Sequence, residues 1–141
     1  MMRTKDAISI GGPAQTRAKL RLFGESLDPA QVTGMLKCEP THTHRKGDRV
    51  RAGSAAVRRQ GMWLLAATPN GDLGVQLREL LSVLPEPDTW RALLQGNRAD
   101  VHCSVDVQCD VCGLAIDHDV LMDLGRRNLD LSIEMYVVED S

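Results

Sequence analysis

The stretch RAKLRLFGESLDPAQVTGMLK, residues 17–37, decides the fold, because a strand signal in it is followed directly by a helix signal. From Arg17 to Leu22 basic and apolar side chains alternate, and the apolar Phe23 follows at a position where a polar residue would continue the pattern. This period of two is typical of a strand buried on one face. Asp28 then precedes Pro29, the favoured order of a helix N-cap residue and a first helical residue. The stretch therefore predicts a half-buried strand that leads into an amphipathic helix.

The rest of the chain continues this mixture of elements. The apolar run GMWLLAAT, residues 61–68, predicts a strand buried on both faces, whereas residues 38–60 carry no pattern and predict a long loop. Leucine spacing and capping residues predict helices over residues 72–84, from Asp88 to about Gln95, and over residues 117–125. Alternating side chains predict two further strands at residues 99–107 and 129–137.

Amphipathic strands that alternate with helices predict an α+β fold, with an antiparallel or mixed β-sheet and helices on one face. The similar pattern at the two ends predicts two β-α-β-like halves joined by a helical hairpin. The predicted boundaries are a flexible tail at residues 1–16, one α+β domain at residues 17–138 and a short tail at residues 139–141. The last strand is expected to point Leu129, Leu131, Ile133, Met135 and Val137 inward. The solvent face of the sheet is expected to carry Lys19, Arg21, Phe23, His102, Asp106, Asp130, Glu134 and Tyr136.

Composition excludes several classes of function. A net charge of −2 gives no overall field for nucleic acid or a membrane surface, and the four aromatic residues leave few platforms for base stacking. No apolar run approaches the roughly 18 residues that span a bilayer, and the first 17 residues lack the apolar core of a signal peptide. We therefore expect a cytoplasmic protein with reduced cysteines.

The charge is distributed unevenly along the chain. The basic loop, residues 41–60, has six basic residues and one acidic residue. Residues 99–141 have ten acidic residues and two arginines. Arginines of the basic loop would suit an anion or an acidic partner, because a guanidinium binds carboxylate or phosphate through two hydrogen bonds; a solvated flexible loop is the other interpretation.

The sequence contains candidate residues for two kinds of chemistry, metal binding and acid–base catalysis. His42 and His44 could share a metal with Cys109 and Cys112, but the histidine spacing lies outside the usual zinc pattern, so ordinary loop residues are favoured. Glu134 with Asp106 or His102 could form an acid–base pair on the solvent face, although a solvated sheet face is favoured. No nucleophile motif, P-loop or dinucleotide-binding motif is present, so no catalytic residue and no cofactor is predicted.

Residues 18–48, AKLRLFGESLDPAQVTGMLKCEPTHTHRKGD, followed by GMWLL at residues 61–65, resemble the bacterial family called domain of unknown function 4279. The closing strand LDLSIEMY, residues 129–136, is also similar, so the resemblance covers about residues 17–138. It implies a small soluble bacterial domain without an established biochemical activity. The family pattern includes three tripeptides, Glu39-Pro40-Thr41, Arg45-Lys46-Gly47 and Gly61-Met62-Trp63, as a shared structural or binding feature. It has no counterpart of Cys109, Cys112 or the histidine pair, which weakens the metal hypothesis.

Three functions are compatible with these patterns. The first is a non-enzymatic interaction domain that binds a protein partner through the polar sheet face and the basic loop. The second is a pocket that binds a small molecule or an anion, and such a pocket could also belong to an enzyme. The third is a zinc site at His42, His44, Cys109 and Cys112. A homo-oligomer is compatible with all three. The ligand-binding residues of the second hypothesis are Arg45, Lys46, His42, His44, Trp63 and His102.

Overall fold

The computed structural model describes residues 15–108 and 112–138, and these form a five-stranded mixed sheet with four helices. The strand order across the sheet is β2-β3-β1-β4-β5. All neighbouring strands are antiparallel except β4 and β5, which are parallel. The elements in chain order are β1 (Gln15–Gly24), α1 (Pro29–Leu36), β2 (His42–His44), β3 (Gly61–Ala66), α2 (Leu73–Ser82), α3 (Pro87–Leu93), β4 (Arg98–Val107), α4 (His118–Arg126) and β5 (Asp130–Val137).

The α+β class and the mixed sheet are confirmed, but the two equivalent halves are not. The first strand–helix–strand unit pairs β1 with β3 in antiparallel sense, whereas the last pairs β4 with β5 in parallel sense. The predicted N-terminal tail is two residues too long, because Gln15 and Thr16 belong to β1. The rest of that tail and residues 139–141 lie outside the described residues.

The hydrophobic core lies between one face of the sheet and the helices. Every second side chain of β1 is buried in it, as the alternation predicted, and all four helices contribute buried residues. The core includes Leu20, Leu22, Trp63, Val101 and Cys103 from the strands, and Val32, Leu77, Leu80, Trp90, Leu93, Val120 and Leu124 from the helices.

Three of the four helices begin at the predicted N-cap residue, and two of these three residues make a side-chain capping hydrogen bond. The Asp28 and Asp72 carboxylates accept hydrogen bonds from the backbone amides of Ala30 and Gly74, so they cap α1 and α2. Glu86, not Asp88, is the N-cap residue of α3, and Pro87 follows it. Asp117 is the N-cap residue of α4 but makes no side-chain capping hydrogen bond, and its carboxylate pairs with Arg78 at 3.0 Å.

The long loop predicted for residues 38–60 contains structure that the sequence did not indicate. Residues 42–44 form β2, which is antiparallel to β3, and Arg49 forms an isolated bridge with Val57. The chain thus returns at residues 42–44 to pair with the strand of Trp63. Only three residues of β2 pair, so no sustained alternation was available to predict the strand.

The last strand differs from its prediction at the C-terminal end. Leu129 is buried and Leu131 and Ile133 are partly buried, but Met135 and Val137 are 61% and 81% exposed. Both side chains lie on the helix side of the sheet, as alternation predicted, but α4 does not cover them. Their predicted burial is therefore wrong. None of the helices in the described part of the chain has the length and apolar character that crossing a membrane requires.

Candidate binding surface

The face of the sheet opposite the helices is the candidate binding surface, which we call the outer face. Its side chains follow from the strand register, because residues paired across an antiparallel or parallel ladder point to the same side. The eight side chains predicted on the solvent face all lie there. The register adds His42, His44, Met62, Leu64, Arg98 and Asp100 to this face.

Ion pairs cross the outer face between neighbouring strands. The guanidinium of Arg21 donates two hydrogen bonds to the Asp100 carboxylate, at 2.8 and 2.7 Å. This bidentate contact raises the pKa of Arg21 above its ordinary value. Arg17 forms a looser pair with Asp106 at 3.3 Å. The central part of the outer face therefore carries many charges that neutralise each other.

His102, Glu134 and Tyr136 form a hydrogen-bonded group beside these pairs. His102 Nε2 contacts Glu134 Oε1, and the hydroxyl of Tyr136 donates to Glu134 Oε2 at 3.2 Å. The bond from His102, followed by that from Tyr136, holds the pKa of Glu134 below its usual value. Of the two partners considered for Glu134, His102 is the one in contact with it. Because Glu134 is exposed on an open face, the group lacks the enclosed site that acid–base catalysis normally uses.

Phe23 lies at the end of the outer face where β4 and β5 begin. The guanidinium carbons of Arg21 and Arg98 lie 5.2 and 5.7 Å from the centre of its ring, within the range of cation–π contacts. A surface depression of about 360 Å³ is lined by Phe23, Arg98 and Asp130 among others. Arg98 was not predicted on this face, although it directly precedes the alternating segment at residues 99–107 and continues its polar positions.

The basic loop is held against the start of α1 by its own charges. Arg45 pairs with Asp28 at 3.1 Å, and Lys46 pairs with Glu25 at 2.6 Å. The backbone amide of Arg45 also donates to the Asp48 carboxylate at 2.8 Å, which closes the turn. Gly47 adopts a φ of +93°, a conformation that residues with a side chain rarely adopt. The Arg45-Lys46-Gly47 tripeptide is therefore a structural feature of this turn.

The Gly61-Met62-Trp63 tripeptide is structural as well. Trp63 points to the core, is fully buried, and its Nε1 donates to Thr33 Oγ1 of α1 at 3.0 Å. A Cβ atom on Gly61 would lie 2.6 Å from the backbone oxygen of Leu27, so β3 passes too close to the chain before α1 for any side chain. Both contacts join β3 to the strand–helix unit from which the prediction began.

The six predicted ligand-binding residues do not all converge: His44 and Arg45 line one surface depression beside the start of α1, but the others lie apart from it. Trp63 lies on the core side of the sheet, whereas His42 and His102 lie on the outer face with two strands between β2 and β4. Neighbouring strands are about 4.8 Å apart, so three strand spacings place these two histidines at least about 14 Å apart. Arg45 and Lys46 are engaged near α1. Ligand binding by any of these residues singly stays a prediction.

The metal hypothesis has only two of its four ligands side by side. The rings of His42 and His44 lie 6.1 Å apart between centroids. Within residues 15–108 and 112–138, no group of three potential ligand side chains is close enough to hold a metal ion. Cys109 lies outside the described residues, so the full set is not tested. Elsewhere, burial raises the pKa of the Cys103 thiol to about 11, which fits a core cysteine that stays protonated.

His44 should make the protein less stable in mild acid. Burial, then the charge of Arg58, and then His42 lower the pKa of His44 below its usual 6.5, against smaller opposing effects of a backbone hydrogen bond with Gln60 and of the Asp48 charge. The unfolded chain binds a proton at His44 more readily than the folded chain does. The contribution of His44 to the free energy of unfolding is therefore fully present above about pH 6.5, and it falls as the pH drops toward the lowered pKa of His44. We expect His44→Gln to lose less stability than wild type between about pH 7 and 5. Urea midpoints at several pH values measure this, and parallel curves for the two proteins would contradict it.

Comparisons with known proteins place the chain in a family. No curated protein and no solved structure matches it significantly. The family model described as "Domain of unknown function (DUF4279)" matches residues 14–138, which is nearly the whole chain and includes every strand and helix described above. The chain therefore belongs to the DUF4279 family.

Proposed function

We propose that this domain is a non-enzymatic interaction module that binds a protein partner through its outer face. The observation that carries the proposal is the way charges are arranged on that face. Arg17 and Arg21 each already pair with a carboxylate on the next strand, and His102 is hydrogen-bonded to Glu134. A partner can cover paired charges without leaving an isolated buried ion, which is the main electrostatic cost of forming an interface.

The apolar groups among these pairs support the same function. Phe23, Met62, Leu64 and Tyr136 are interspersed with the charged side chains on an otherwise polar face. Aromatic residues, methionine and arginine are the residue types enriched in protein interfaces. Five strands about 4.8 Å apart, with the longest about 33 Å long, give a face on the order of 600 Å². This is close to the roughly 800 Å² that each partner buries in an interface of standard size.

The basic loop would contribute at the rim of such an interface. Arg45 and Lys46 are committed to Asp28 and Glu25, which weakens the anion-pocket alternative at these residues. Arg51 and Arg59 are exposed and have no ion-pair partner within the described residues. Charges at a rim mainly accelerate association and select partners, so an acidic partner surface would suit this loop.

Site-specific photo-crosslinking in cells that naturally make the protein tests the proposal. A photoreactive amino acid at Lys19, in the middle of the outer face, should yield a discrete adduct with another protein. The same probe at Val75, exposed on α2, is the matched control and should yield none. Adding Phe23→Ala to the Lys19 probe should reduce the adduct. Equal labelling from both positions, no adduct, or an adduct containing only a second copy of this chain would overturn the proposal.

A further inference from the structure

The free edge of β5 is a surface that the proposed function does not use. Within the described residues, β5 pairs with β4 on one side and with no strand on the other. The opposite edge of the sheet, β2, offers only three residues, whereas β5 has eight. Natural proteins protect long edges with charged residues, above all lysine, with proline or with bulges. β5 contains neither lysine nor proline, and its two acidic residues, Asp130 and Glu134, point to the outer face.

The hydrogen bonds between β5 and β4 show which backbone amide and carbonyl groups of β5 point to the free edge. The amide of Val138 donates to the oxygen of Val107 at 2.8 Å, so even-numbered residues of β5 direct their amide and carbonyl groups toward β4. The odd-numbered residues, among them Ile133, Met135 and Val137, therefore direct theirs toward the free edge. These same residues place their side chains on the helix side of the sheet.

Exposed apolar side chains lie along this edge. Met135 and Val137 are the two most exposed large apolar residues in the described chain, and Leu121 of α4 is 48% exposed. Asp119 on α4 contacts Arg78 of α2 at 3.0 Å, so that flank of α4 faces α2. Successive helical residues are about 100° apart, which puts Leu121 on the opposite flank, beyond the buried Val120 and above the β5 edge.

We propose that β5 pairs with β5 of a second copy of this chain, in antiparallel sense, and forms a continuous ten-stranded sheet. In the register with Met135 on the two-fold axis, Ile133 lies opposite Val137 of the second copy. Each of these residues then has its backbone groups directed at the other copy, which is what hydrogen-bonded pairs require. The exposed Met135 side chain is then covered by Met135 of the second copy, and the exposed Val137 side chain by its Ile133.

Charge on the outer face favours this register. It sets Glu134 opposite Tyr136 of the second copy, whose single hydroxyl hydrogen would then bond to this carboxylate instead of to Glu134 of its own chain. Shifting the centre by one residue, to Glu134, would set two glutamates directly opposite each other, which is destabilising. The interface is small, since it consists of one strand pair and one helix flank from each copy. We therefore expect dissociation in the micromolar range.

Sedimentation velocity across a range of protein concentrations tests the dimer. The wild-type protein should sediment as a monomer at low concentration and increasingly as a dimer as the concentration rises. Met135→Lys places two like charges at the axis and should weaken association at least tenfold, whereas Val75→Lys, the exposed apolar control on α2, should leave it unchanged. Wild type that remains monomeric at all concentrations, or a dimer indifferent to Met135→Lys, would overturn the proposal.

Cysteine cross-linking tests the register separately. Met135→Cys should form a covalent dimer under mild oxidation, because the two Cα atoms of a directly opposed pair lie about 5.5 Å apart. Val75→Cys and wild type are the controls and should not form it. A dimer that Met135→Cys fails to cross-link would overturn the Met135-centred pairing. The outer face remains free in this dimer, so its failure leaves the proposed function intact.

Discussion

Trp63→Ala is expected to lower the free energy of unfolding by about 3–5 kcal/mol, among the largest effects of any single substitution in this chain. Trp63 is fully buried between β3 and α1, and alanine would leave a cavity that the surrounding backbone cannot close. It would also leave Thr33 Oγ1 without the 3.0 Å bond from the indole. Urea unfolding monitored by circular dichroism measures the change.

Trp63→Phe separates these two contributions. Phenylalanine retains most of the buried volume but cannot donate a hydrogen bond, so its cost should be about 1–2 kcal/mol. A small domain is typically stable by about 5–15 kcal/mol, so only the alanine variant should approach complete unfolding at physiological temperature. If alanine and phenylalanine were equally mild, Trp63 would not be the anchor between β3 and α1 that its contacts indicate.

Gln76→Ala is expected to cost about 3 kcal/mol or more, because it would leave several buried backbone groups without partners. β1 extends beyond the end of β3, since Lys19 pairs with the last residue of that strand. Gln76 of α2 replaces the missing strand. Its Oε1 accepts from the amide of Ala18 at 2.8 Å, and its Nε2 donates to the carbonyl oxygen of Thr16 at 2.9 Å.

Gln31→Ala is the matched control for Gln76, because Gln31 is an exposed glutamine in a helix. It should change the free energy of unfolding by less than about 0.5 kcal/mol. Hydrogen exchange gives a second measurement: in Gln76→Ala the amide of Ala18 should lose protection more than the amides in the centre of β1. Uniform loss along the strand would mean that the effect is global and not due to the orphaned groups.

The role of Gln76 was within reach of the sequence but was not predicted. It follows Leu73 by three residues and precedes Leu80 by four, so it lies on the apolar stripe of α2. A polar residue in such a stripe requires buried hydrogen-bond partners. Those partners lie near the start of β1, about 60 residues earlier, and no local pattern connects the two segments.

The sequence predicted which residues lie on the outer face, but it did not predict which of them contact one another. Alternation alone assigned Arg21 and Glu134 to the solvent side, because the side chains of a strand alternate whatever its neighbours are. The Arg21–Asp100 pair depends on the antiparallel register of β1 and β4, which are separated by more than 70 residues. The sequence likewise did not show how His42 and Trp63 are placed: they lie on neighbouring strands but on opposite faces of the sheet.

By itself, the sequence determined the α+β class, the two faces of β1 and β4, and the caps of α1 and α2. These features depend on residues two to four positions apart, where backbone geometry dictates which side chains meet. Only the tertiary structure decided the strand order, the antiparallel β1–β3 pair beside the parallel β4–β5 pair, and the core position of Trp63. It also left Met135 and Val137 exposed, because burial depends on which distant element covers a side chain, and α4 ends its contact with β5 before reaching them.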